Sequence, residues 1–397
     1  MSELNKQLNE QLNRLREQSE LNELGELSAP NELSTPSELR EHAANVIKTI
    51  AVLVNPVAGS GLGAKTLVQA QEQLPEVFPA AQIDIVKSQS KEHVSEFATT
   101  TQADLLIVIG GDGTLHDAAQ GLLTRPQKER PLVTLIAVGS GNDYARTLGI
   151  SQNPQEAFAA LAHAVPIRVD VGCCTSNASD TPTYYLETLS FGVDAAVGLN
   201  THELRKTTRT KGLRLYARAA ISAIFTELKP YHAVCKIDDE TLEDDLLICA
   251  VQNGPTYGSG FKVAPQASIT DGLLNICVAQ RIGTLRALYY LTRIKAGTHE
   301  TLPAVSTYVA RRFDIKLDRE VPIQCDGERL LGTQLSVELL PAALEVLVPK
   351  DSPVLTAPAQ KSANPTSEQP AVIRPAAEPA AEPAAIRPSA AKDKPHA

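Results

Sequence analysis

Short apolar runs alternate with stretches of helical periodicity in the first part of the chain. The runs predict strands at Thr49–Val54, Ile83–Val86, Asp104–Ile109 and Leu132–Val138. Apolar positions with helical spacing lie between them, for example at Ala64–Leu74 and His93–Thr100. This β-α-β-α order predicts an α/β domain whose mainly parallel sheet is covered by helices on both faces.

The pattern changes at about Ile167, after which strand-like runs dominate. They are Ile167–Gly172, Tyr184–Ser190, Ala233–Ile237, Leu246–Asn253, Leu273–Val278, Phe313–Leu317, Val321–Cys325, Leu335–Leu339 and Ala343–Val348. One basic helical stretch, Arg205–Leu228, interrupts them. A second domain follows from this pattern, rich in antiparallel strands and folded as a β-sandwich.

The two ends of the chain differ from this body in composition. Residues 1–46 combine helically spaced leucines with repeated Glu-Leu triplets, which predicts a low-complexity, partly helical extension. Residues 351–397 are rich in Pro and Ala and cannot bury enough apolar surface to offset the entropy of ordering, so a disordered tail is predicted. The predicted domains are therefore residues 47–165 and 166–350.

Composition excludes several classes of protein. The chain has 397 residues, of which 43% are hydrophobic and 21% charged, as in soluble globular proteins of more than one domain. No apolar run approaches the roughly 18 residues of a spanning helix, and the N-terminus is too polar for a secretory signal, so we expect a cytoplasmic protein. The net charge of −9 argues against a nucleic-acid binder. The six cysteines form no C-x-x-C pair and several lie in apolar runs, which favours buried free thiols.

Three glycine-rich turns carry the candidate chemistry. They are 55–61 (NPVAGSG), 110–114 (GGDGT) and 139–143 (GSGND), and each follows a predicted strand. Ligands of open parallel sheets bind beyond the carboxyl ends of the strands, so the three turns are expected to meet at one crevice.

These turns suit a nucleoside triphosphate. Glycines let the backbone approach a polyphosphate, and a helix that begins after each turn adds the positive end of its dipole. Asp112 would repel phosphates unless a cation such as Mg²⁺ lies between them. Thr114 can donate a hydroxyl hydrogen bond. Ordinary strand-to-helix turns are the alternative, but three in order, two of them with an acid, argue against it. Neither a Walker A sequence nor the glycine loop of protein kinases is present.

The motifs NPVAGSG, GGDGTLHD and GSGNDYAR together resemble the diacylglycerol kinase catalytic family. The resemblance continues in the second half with NGPTYGSGFKVAPQASITDGLLNI and QCDGE, and it spans about residues 47 to 349. GGDGT alone is shared with NAD kinases and phosphofructokinases, so the other motifs make the resemblance specific to lipid kinases. It implies ATP and Mg²⁺ as cofactors and a diacylglycerol-like lipid alcohol as substrate.

The resemblance also implies a role for particular residues. Those that would bind the nucleotide lie in the three turns and beside them: Asn55, Pro56, Ala58, Gly59, Ser88, Gly110, Gly111, Asp112, Gly113, Thr114, Leu115, His116, Asp117, Ser140, Asn142 and Asp170. Asp112 would hold Mg²⁺, and Asp271 with the backbone carbonyls of Ser268 and Leu273 resembles a structural magnesium site. Glu328 would accept the proton of the lipid hydroxyl, and Asp326 would help to place a second magnesium ion or that hydroxyl.

From the residues alone, two of these assignments have plain alternatives. Asp326 and Glu328 lie two apart around Gly327, as acids on a solvated hairpin turn also do. Asp271-Gly272 also forms the usual pair of a hairpin turn, although turn carbonyls and a carboxylate can share a hard cation.

His116 and Asp117 depart from the Asn and Glu that the family often has. We interpret His116 as a packed residue at a helix start, and the role of Asp117 stays open.

The predicted basic helix suggests where the lipid is collected. Its basic residues form a run without an acid: Arg205, Lys206, Arg209, Lys211, Arg214 and Arg218. Apolar residues at helical spacing lie among and after them: Leu213, Tyr216, Ala217, Ala220, Ile221 and Ile224. An amphipathic basic helix fits an anionic bilayer, which makes peripheral membrane association an expectation; a helix packed on the sandwich with a solvated face is the alternative. A homodimer, an NAD kinase-like activity and a regulator that has lost turnover stay open.

Overall fold

The computed structural model describes residues 47–207 and 212–356. The predicted N-terminal extension, nearly all of the predicted tail, and Arg209 and Lys211 of the predicted basic helix lie outside the described residues. The strands are β1 Thr49–Val54, β2 Gln82–Lys87, β3 Leu105–Gly110, β4 Leu132–Ala137, β5 Val165–Ser176, β6 Ser179–Tyr185, β7 Thr188–Gly192, β8 Tyr231–Ile237, β9 Glu240–Gln252, β10 Leu274–Gln280, β11 Val305–Ala310, β12 Arg312–Leu317, β13 Ile323–Cys325, β14 Glu328–Leu330 and β15 Gln334–Val348. The α-helices are α1 Ala58–Val77, α2 Lys91–Thr100, α3 Asp112–Leu123, α4 Asp143–Thr147, α5 Pro154–Leu161, α6 Val193–Thr207, α7 Gly212–Thr226, α8 Thr284–Ala296 and α9 Pro353–Thr356.

The first four strands form a parallel sheet in the order β4-β3-β1-β2. Every residue of β3 is buried, as expected of a strand with helices on both faces. The connecting helices place Leu67, Ala70 and Leu122 in the same hydrophobic cluster as the strands. The predicted α/β domain with a parallel sheet is confirmed, and its strands end on one edge.

The antiparallel strands continue this sheet through β15. Val346 of β15 pairs in parallel with Val133 of β4, while the rest of β15 pairs antiparallel with β5 and β12. Strands β7 to β14 are antiparallel and enclose a second cluster that contains Phe191 and Phe313. A third cluster lies between the sheet and helices α6 to α8. The predicted antiparallel second half is therefore also confirmed.

Several predicted elements differ from the structure. The predicted strand Tyr184–Ser190 is divided between β6 and β7, and β11 and β14 were not predicted. The single helix predicted over Arg205–Leu228 is two helices, because α6 already begins at Val193 and a new helix begins at Gly212. Helix α8 was not predicted; its run of aromatic and branched residues suits a strand as well as a helix. The predicted strands Leu335–Leu339 and Ala343–Val348 are one strand, whose register shifts between Leu340 and Leu344. Such a bulge turns β15 from the antiparallel half toward β4.

Two expectations from composition can be compared with the described residues. The six cysteines are free thiols, and all except the partly buried Cys173 are buried. None of the described helices is both long enough and apolar enough to cross a membrane.

Candidate functional site

The three glycine-rich turns meet at the carboxyl ends of β1, β3 and β4. The Asn55 side chain donates a hydrogen bond to Oγ1 of Thr114 at 3.1 Å, which joins the first turn to the second. The backbone N–H of Val138 donates to the carbonyl of Gly110 at 2.8 Å and holds the third turn beside the second. The convergence that the sequence predicted is therefore present.

Glycine is required where these turns touch. A Cβ on Gly59, whose φ is +59°, would lie 2.1 Å from the carbonyl oxygen of Val138. A Cβ on Gly139 would lie 2.6 Å from Cα of Gly111, so the second and third turns approach backbone to backbone. Neither contact leaves room for a side chain, and this closeness exposes backbone N–H groups at the crevice.

Helix α3 begins at the second turn, and its first two backbone N–H groups have no acceptor within the helix. Its N-cap is Gly111, which has no side chain to cap the first N–H groups. Thr114 and Leu115 donate their N–H groups to the Gly111 carbonyl, whereas those of Asp112 and Gly113 precede the first intrahelical bonds. Unpaired N–H groups and the helix dipole together form an anion site.

A cavity of about 910 Å³ extends from these turns into the second half of the chain. Its lining from the turns comprises Asn55, Val57, Ala58, Gly59, Ser60, Leu62, Gly111, Asp112, Gly113, Thr114, Leu115, Asp117, Val138, Gly139, Ser140, Gly141, Asp143 and Tyr144. The second half contributes Leu186, Glu187, Thr188, Gly198, Thr201, Leu215, Tyr257, Gly258, Ser259, Gln324, Asp326 and Gly327. The volume fits a nucleotide together with part of a second ligand.

Asp112 lies in the second turn, at the first position of helix α3. Its Oδ1 accepts a hydrogen bond from the N–H of Tyr144 at 3.3 Å. Burial and the neighbouring carboxylate of Asp143 raise the pKa of Asp112 above its usual range. A cation bound there would offset the effects of burial and of Asp143 and favour the ionised form of Asp112.

A loop of the second half closes over the third turn. The carboxylate of Asp143 accepts hydrogen bonds from the N–H groups of Ser259 and Gly260, each at 2.7 Å. It also pairs with Arg146 at 2.6 Å, while Lys295 donates to the carbonyls of Ser259 and Gly260. Asp143 therefore fixes residues 257–261, the Y-G-S-G-F segment, against the predicted nucleotide turn.

Asp326 connects the two halves on the opposite side of the cavity. Its carboxylate accepts hydrogen bonds from the N–H groups of Leu186, Glu187 and Thr188 at 2.7 to 3.1 Å. Its Oδ2 also lies 3.3 Å from Nδ1 of His116, and both side chains are almost fully buried. The prediction that His116 is a packed residue at a helix start agrees with its burial, but the structure adds a partner from the other half of the chain.

The His116–Asp326 pair makes the stability of the fold depend on pH. Burial lowers the pKa of His116, but the hydrogen bond to Asp326 and the charges of Asp326, Asp117 and Glu328 outweigh it, so the pKa lies above 6.5. The stabilisation by charged His116 is then complete below pH 6.5 and is lost as the pH rises through the raised pKa. We expect the free energy of unfolding of the wild type to fall more steeply above pH 6.5 than that of His116→Asn. Chemical denaturation at a series of pH values measures this, and parallel curves for the two proteins would contradict it.

Glu328 lies at the rim of the cavity rather than in its wall. Asp326 and Gly327 line the cavity, and Glu328 follows them as the first residue of β14. Its carboxylate is 37% exposed and lies 3.6 Å from Nζ of Lys91. Burial raises the pKa of Asp117 to about 6; the charge of His116 opposes this rise, and the charge of Glu328 adds to it.

The other predicted nucleotide residues divide into those that shape the turns and those that lie away from them. Ala58, Leu115 and Ser140 line the cavity. Pro56, Gly110 and Asn142 support the turns without lining it, and Asn142 adopts a left-handed φ of +55°. Ser88 follows β2 and donates its N–H to the Val54 carbonyl, outside the cavity lining.

Asp170 and Asp271 form a separate acidic pair. Asp170 accepts hydrogen bonds from the N–H groups of Gly272 and Ala342, each at 2.7 Å, and so holds the turn that contains Asp271. Asp271 accepts one from the N–H of Leu273 through Oδ1, while its Oδ2 is buried without a partner. Burial raises the pKa of Asp271 to about 6, and the charge of Asp170 adds to the rise. The hydroxyl of Ser268 lies 3.2 Å from that of Thr270.

The sequence reasoning missed Glu187, which lines the cavity and is 5% exposed. Its Oε1 accepts a hydrogen bond from Thr147 at 2.8 Å, and its Oε2 is buried without a partner. Burial and the nearby carboxylate of Asp143 raise the pKa of Glu187 well above its usual range. The available signal was a single acid within the predicted strand Tyr184–Ser190, where a buried acid needs a partner. The structure places Glu187 in the bend between β6 and β7.

Two family models match the chain. The diacylglycerol kinase catalytic domain matches residues 49–174, and the YegS C-terminal NAD kinase beta sandwich-like domain matches residues 187–348. The first match contains all three glycine-rich turns, and the second contains Glu187, the Y-G-S-G-F segment and Asp326. The residues around the cavity thus come from both matched domains.

Curated relatives and solved structures agree with these matches. A protein of Pseudomonas savastanoi named "Probable lipid kinase YegS-like" is 31% identical over 257 residues, which cover 63% of this chain and 78% of that protein. A diacylglycerol kinase of Mycobacterium tuberculosis is 27% identical over 319 residues, which cover 79% of this chain and 98% of that protein. A crystal structure of a diacylglycerol kinase from Bacillus anthracis superposes with a TM-score of 0.62 at 25% identity, covering 76% of this chain and 98% of that one.

Proposed function

This chain belongs to the family of YegS-like lipid kinases with a diacylglycerol kinase catalytic domain, and we propose that it transfers the γ-phosphoryl group of ATP to the hydroxyl of diacylglycerol or a related lipid. The reaction would depend on Mg²⁺ and contribute to phospholipid metabolism. In the same proposal the enzyme is cytoplasmic and associates peripherally with an anionic membrane.

The continuity of the main cavity carries this proposal. One end is formed by the glycine-rich turns with their free N–H groups, and the other reaches Gly198, Thr201 and Leu215 of helices α6 and α7. A nucleotide and a second substrate can therefore occupy one continuous cavity, as direct transfer between them requires. Apolar Leu215 at the far end suits the lipid rather than the nucleotide.

The residues of the cavity fit Mg²⁺ bound together with ATP. Among the described residues, no group of three or more His, Cys, Asp or Glu side chains is arranged to hold a metal ion alone. Mg²⁺ at such a site is usually held by one or two carboxylates, water and the substrate phosphates, and Asp112 would supply such a carboxylate. When bound, the ion would neutralise charge on the phosphates. The unpaired Oδ2 of Asp271 similarly fits a structural magnesium ion shared with the carbonyls of Ser268 and Leu273.

The protein would act mainly by positioning. The transition state of phosphoryl transfer is loose, so alignment and charge neutralisation supply most of the rate. The N–H groups of Asp112 and Gly113 would hold the phosphates, and Asn55 would keep Thr114 directed at them. The lipid oxygen would form a bond to the γ-phosphorus while the bond to the ADP oxygen breaks. Glu328 would accept the hydroxyl proton late in this step.

The Glu328→Gln variant tests the proposed base. We expect kcat for lipid phosphorylation to fall by roughly 100-fold to 10,000-fold with little change in the KM for ATP, because the amide cannot accept the proton. Initial rates with labelled ATP measure both constants. Glu345→Gln is the matched control, since Glu345 is also a partly exposed acid in a surface ion pair, with Arg168. Full activity of Glu328→Gln would show that another group accepts the proton.

The activity itself is tested with the full chain, ATP, Mg²⁺ and a mixed lipid extract. We expect label from γ-labelled ATP in the organic phase, in a lipid whose mass has increased by one phosphate. Label in water-soluble NADP would instead identify an NAD kinase-like enzyme. Binding of ATP and lipid without any labelled product would identify a regulator that has lost turnover. Either result would contradict the proposal.

A further inference from the structure

Helices α7 and α8 expose large apolar side chains on their outer faces. The exposed fractions are 45% for Ile221 and 67% for Phe225 in α7, and 84% for Leu285 and 52% for Tyr289 in α8. In each helix the two residues are four apart, so they lie on one side of it. Exposed apolar side chains that share a face indicate a surface for binding.

The two outer faces point to the same side of the molecule. Ala220 and Ile224 of α7 and Ala287 and Tyr290 of α8 belong to the single hydrophobic cluster that covers one face of the sheet. The helices also pack against each other. Since both bury their inner faces in the same layer, their outer faces lie side by side.

All charged residues of these two helices are basic. Neither α7 nor α8 contains an Asp or Glu, although the chain as a whole carries a net charge of −9. Arg214 and Arg218 are exposed on α7 and lie seven residues before Ile221 and Phe225, which places all four on one stripe. Arg286 is exposed on α8. Basic and apolar side chains on one face are typical of helices that lie on anionic bilayers.

The inner faces of the same helices border cavities inside the molecule. Ala220, Ile224, Ala287 and Leu291 border a second, mainly apolar cavity of about 70 Å³ between the helices and the sheet. Leu215 of α7 lines the main cavity, and Tyr257 lines both. Helix α7 therefore lies between the exposed apolar surface and the main cavity, and α8 packs beside it.

We propose that the outer faces of α7 and α8, formed by Arg214, Arg218, Ile221, Phe225, Leu285 and Tyr289, dock the enzyme on an anionic lipid bilayer. This surface, the α7–α8 face, inserts its apolar side chains among the acyl chains while its arginines contact lipid phosphates. Docking there places α7 and α8 at the bilayer, next to the cavity into which the acceptor lipid moves. The inference rests on the proposed lipid kinase activity and identifies the face that meets the lipid.

The absence of Trp from the sequence allows a direct measurement of insertion. In Phe225→Trp the new indole is the only one in the chain. We expect its fluorescence to shift to shorter wavelength and to be quenched by brominated acyl chains in phosphatidylglycerol vesicles. Val68→Trp is the control, because Val68 is 53% exposed but belongs to α1. Equal quenching of both variants, or of neither, would contradict docking through the α7–α8 face.

Binding to vesicles tests the two parts of the surface separately. We expect Phe225→Ser with Leu285→Ser to weaken binding to phosphatidylglycerol vesicles by about tenfold or more, because two large apolar side chains no longer insert. Arg214→Gln with Arg218→Gln should weaken it by roughly fivefold per charge, and only for anionic vesicles. Leu331→Ser, which alters a 62% exposed side chain elsewhere, should leave binding unchanged. Unfolding midpoints equal to the wild type establish that the variants are folded.

Activity measurements separate this inference from the proposed function. With a short-chain diacylglycerol that dissolves as monomers, Phe225→Ser with Leu285→Ser should keep the wild-type kcat, whereas its rate on long-chain diacylglycerol in anionic vesicles should fall with binding. Equal loss on both substrates would contradict a docking role. A wild type that phosphorylates neither lipid would contradict the proposed function instead.

If the variant changes a monomer–dimer equilibrium and leaves vesicle binding intact, the α7–α8 face binds a second copy of the chain and the inference is wrong.

Discussion

Asp112→Asn is expected to remove lipid phosphorylation almost completely while the protein stays folded. We expect kcat to fall by about a thousandfold or more, because stabilisation of the phosphate charge by a bound cation is worth several kcal/mol in the transition state. Asp112 lines the cavity and is the single acid of the second turn, residues 110–114. No other carboxylate of that turn can therefore replace it. Initial rates at a series of Mg²⁺ concentrations measure the loss, and the apparent affinity for Mg²⁺ should fall with it.

The same substitution should not lower the stability of the fold, although it removes activity. Burial and Asp143 raise the pKa of Asp112, so its ionised form is less stable in the folded protein than in the unfolded chain. The neutral amide avoids this cost, and the free energy of unfolding of Asp112→Asn at pH 7 should equal or exceed that of the wild type. Asp180→Asn, at an exposed position of β6, is the control and should change neither property. An Asp112→Asn enzyme with wild-type rate and Mg²⁺ dependence would show that the cation is held elsewhere.

The contrast between lost activity and unchanged or increased stability follows from the number of acids around the cavity. Asp112, Asp117, Asp143, Glu187 and Asp326 all line it. Burial raises the pKa of Asp112, Asp117 and Glu187. Ionising these carboxyl groups therefore costs free energy in the folded protein, and a bound cation or proton would lower that cost. A fold selected for stability alone would not concentrate acids in this way. Their presence is the electrostatic argument for a metal–nucleotide complex as the ligand.

The parts of this site that the sequence predicted depend on short-range rules. A glycine-rich turn after an apolar strand is visible in a few residues, and the parallel order of the strands brings 55–61, 110–114 and 139–143 together. Parallel pairing of β1, β3 and β4 then determines their relative position. These predictions needed no information about distant contacts.

The parts that the sequence did not predict depend on contacts between distant segments. Asp326 and Leu186 are 140 residues apart, and Asp143 and Gly260 are 117 apart. No periodicity indicates that a turn acid will accept N–H groups from another strand. Helix α8 was missed for a related reason, since its inner face is recognisable only once the sheet that it covers is known.

Asp326→Ala is the second large effect that we expect, this time on stability. Removal of the carboxylate leaves the buried N–H groups of Leu186, Glu187 and Thr188 without their acceptor. Loss of one partner from such a buried charged network costs about 3–5 kcal/mol. Chemical denaturation measures the free energy of unfolding. Asp326→Asn should fall between this variant and the wild type, because its single amide oxygen can still accept some of the three hydrogen bonds.

Two comparisons distinguish the loss of this buried network from the loss of an ordinary surface charge. Asp314→Ala removes an acid that pairs with Arg312 near the surface, and it should cost only about 0.5 kcal/mol. A double-mutant cycle of Asp326→Ala with His116→Asn should give a coupling energy of about 0.5–3 kcal/mol, because the two side chains are in contact across the two halves of the chain. That coupling should decrease as the pH rises above 6.5 and His116 loses its charge. Additive effects at every pH would mean that Asp326 only fixes the loop before β7 and does not join the halves through His116.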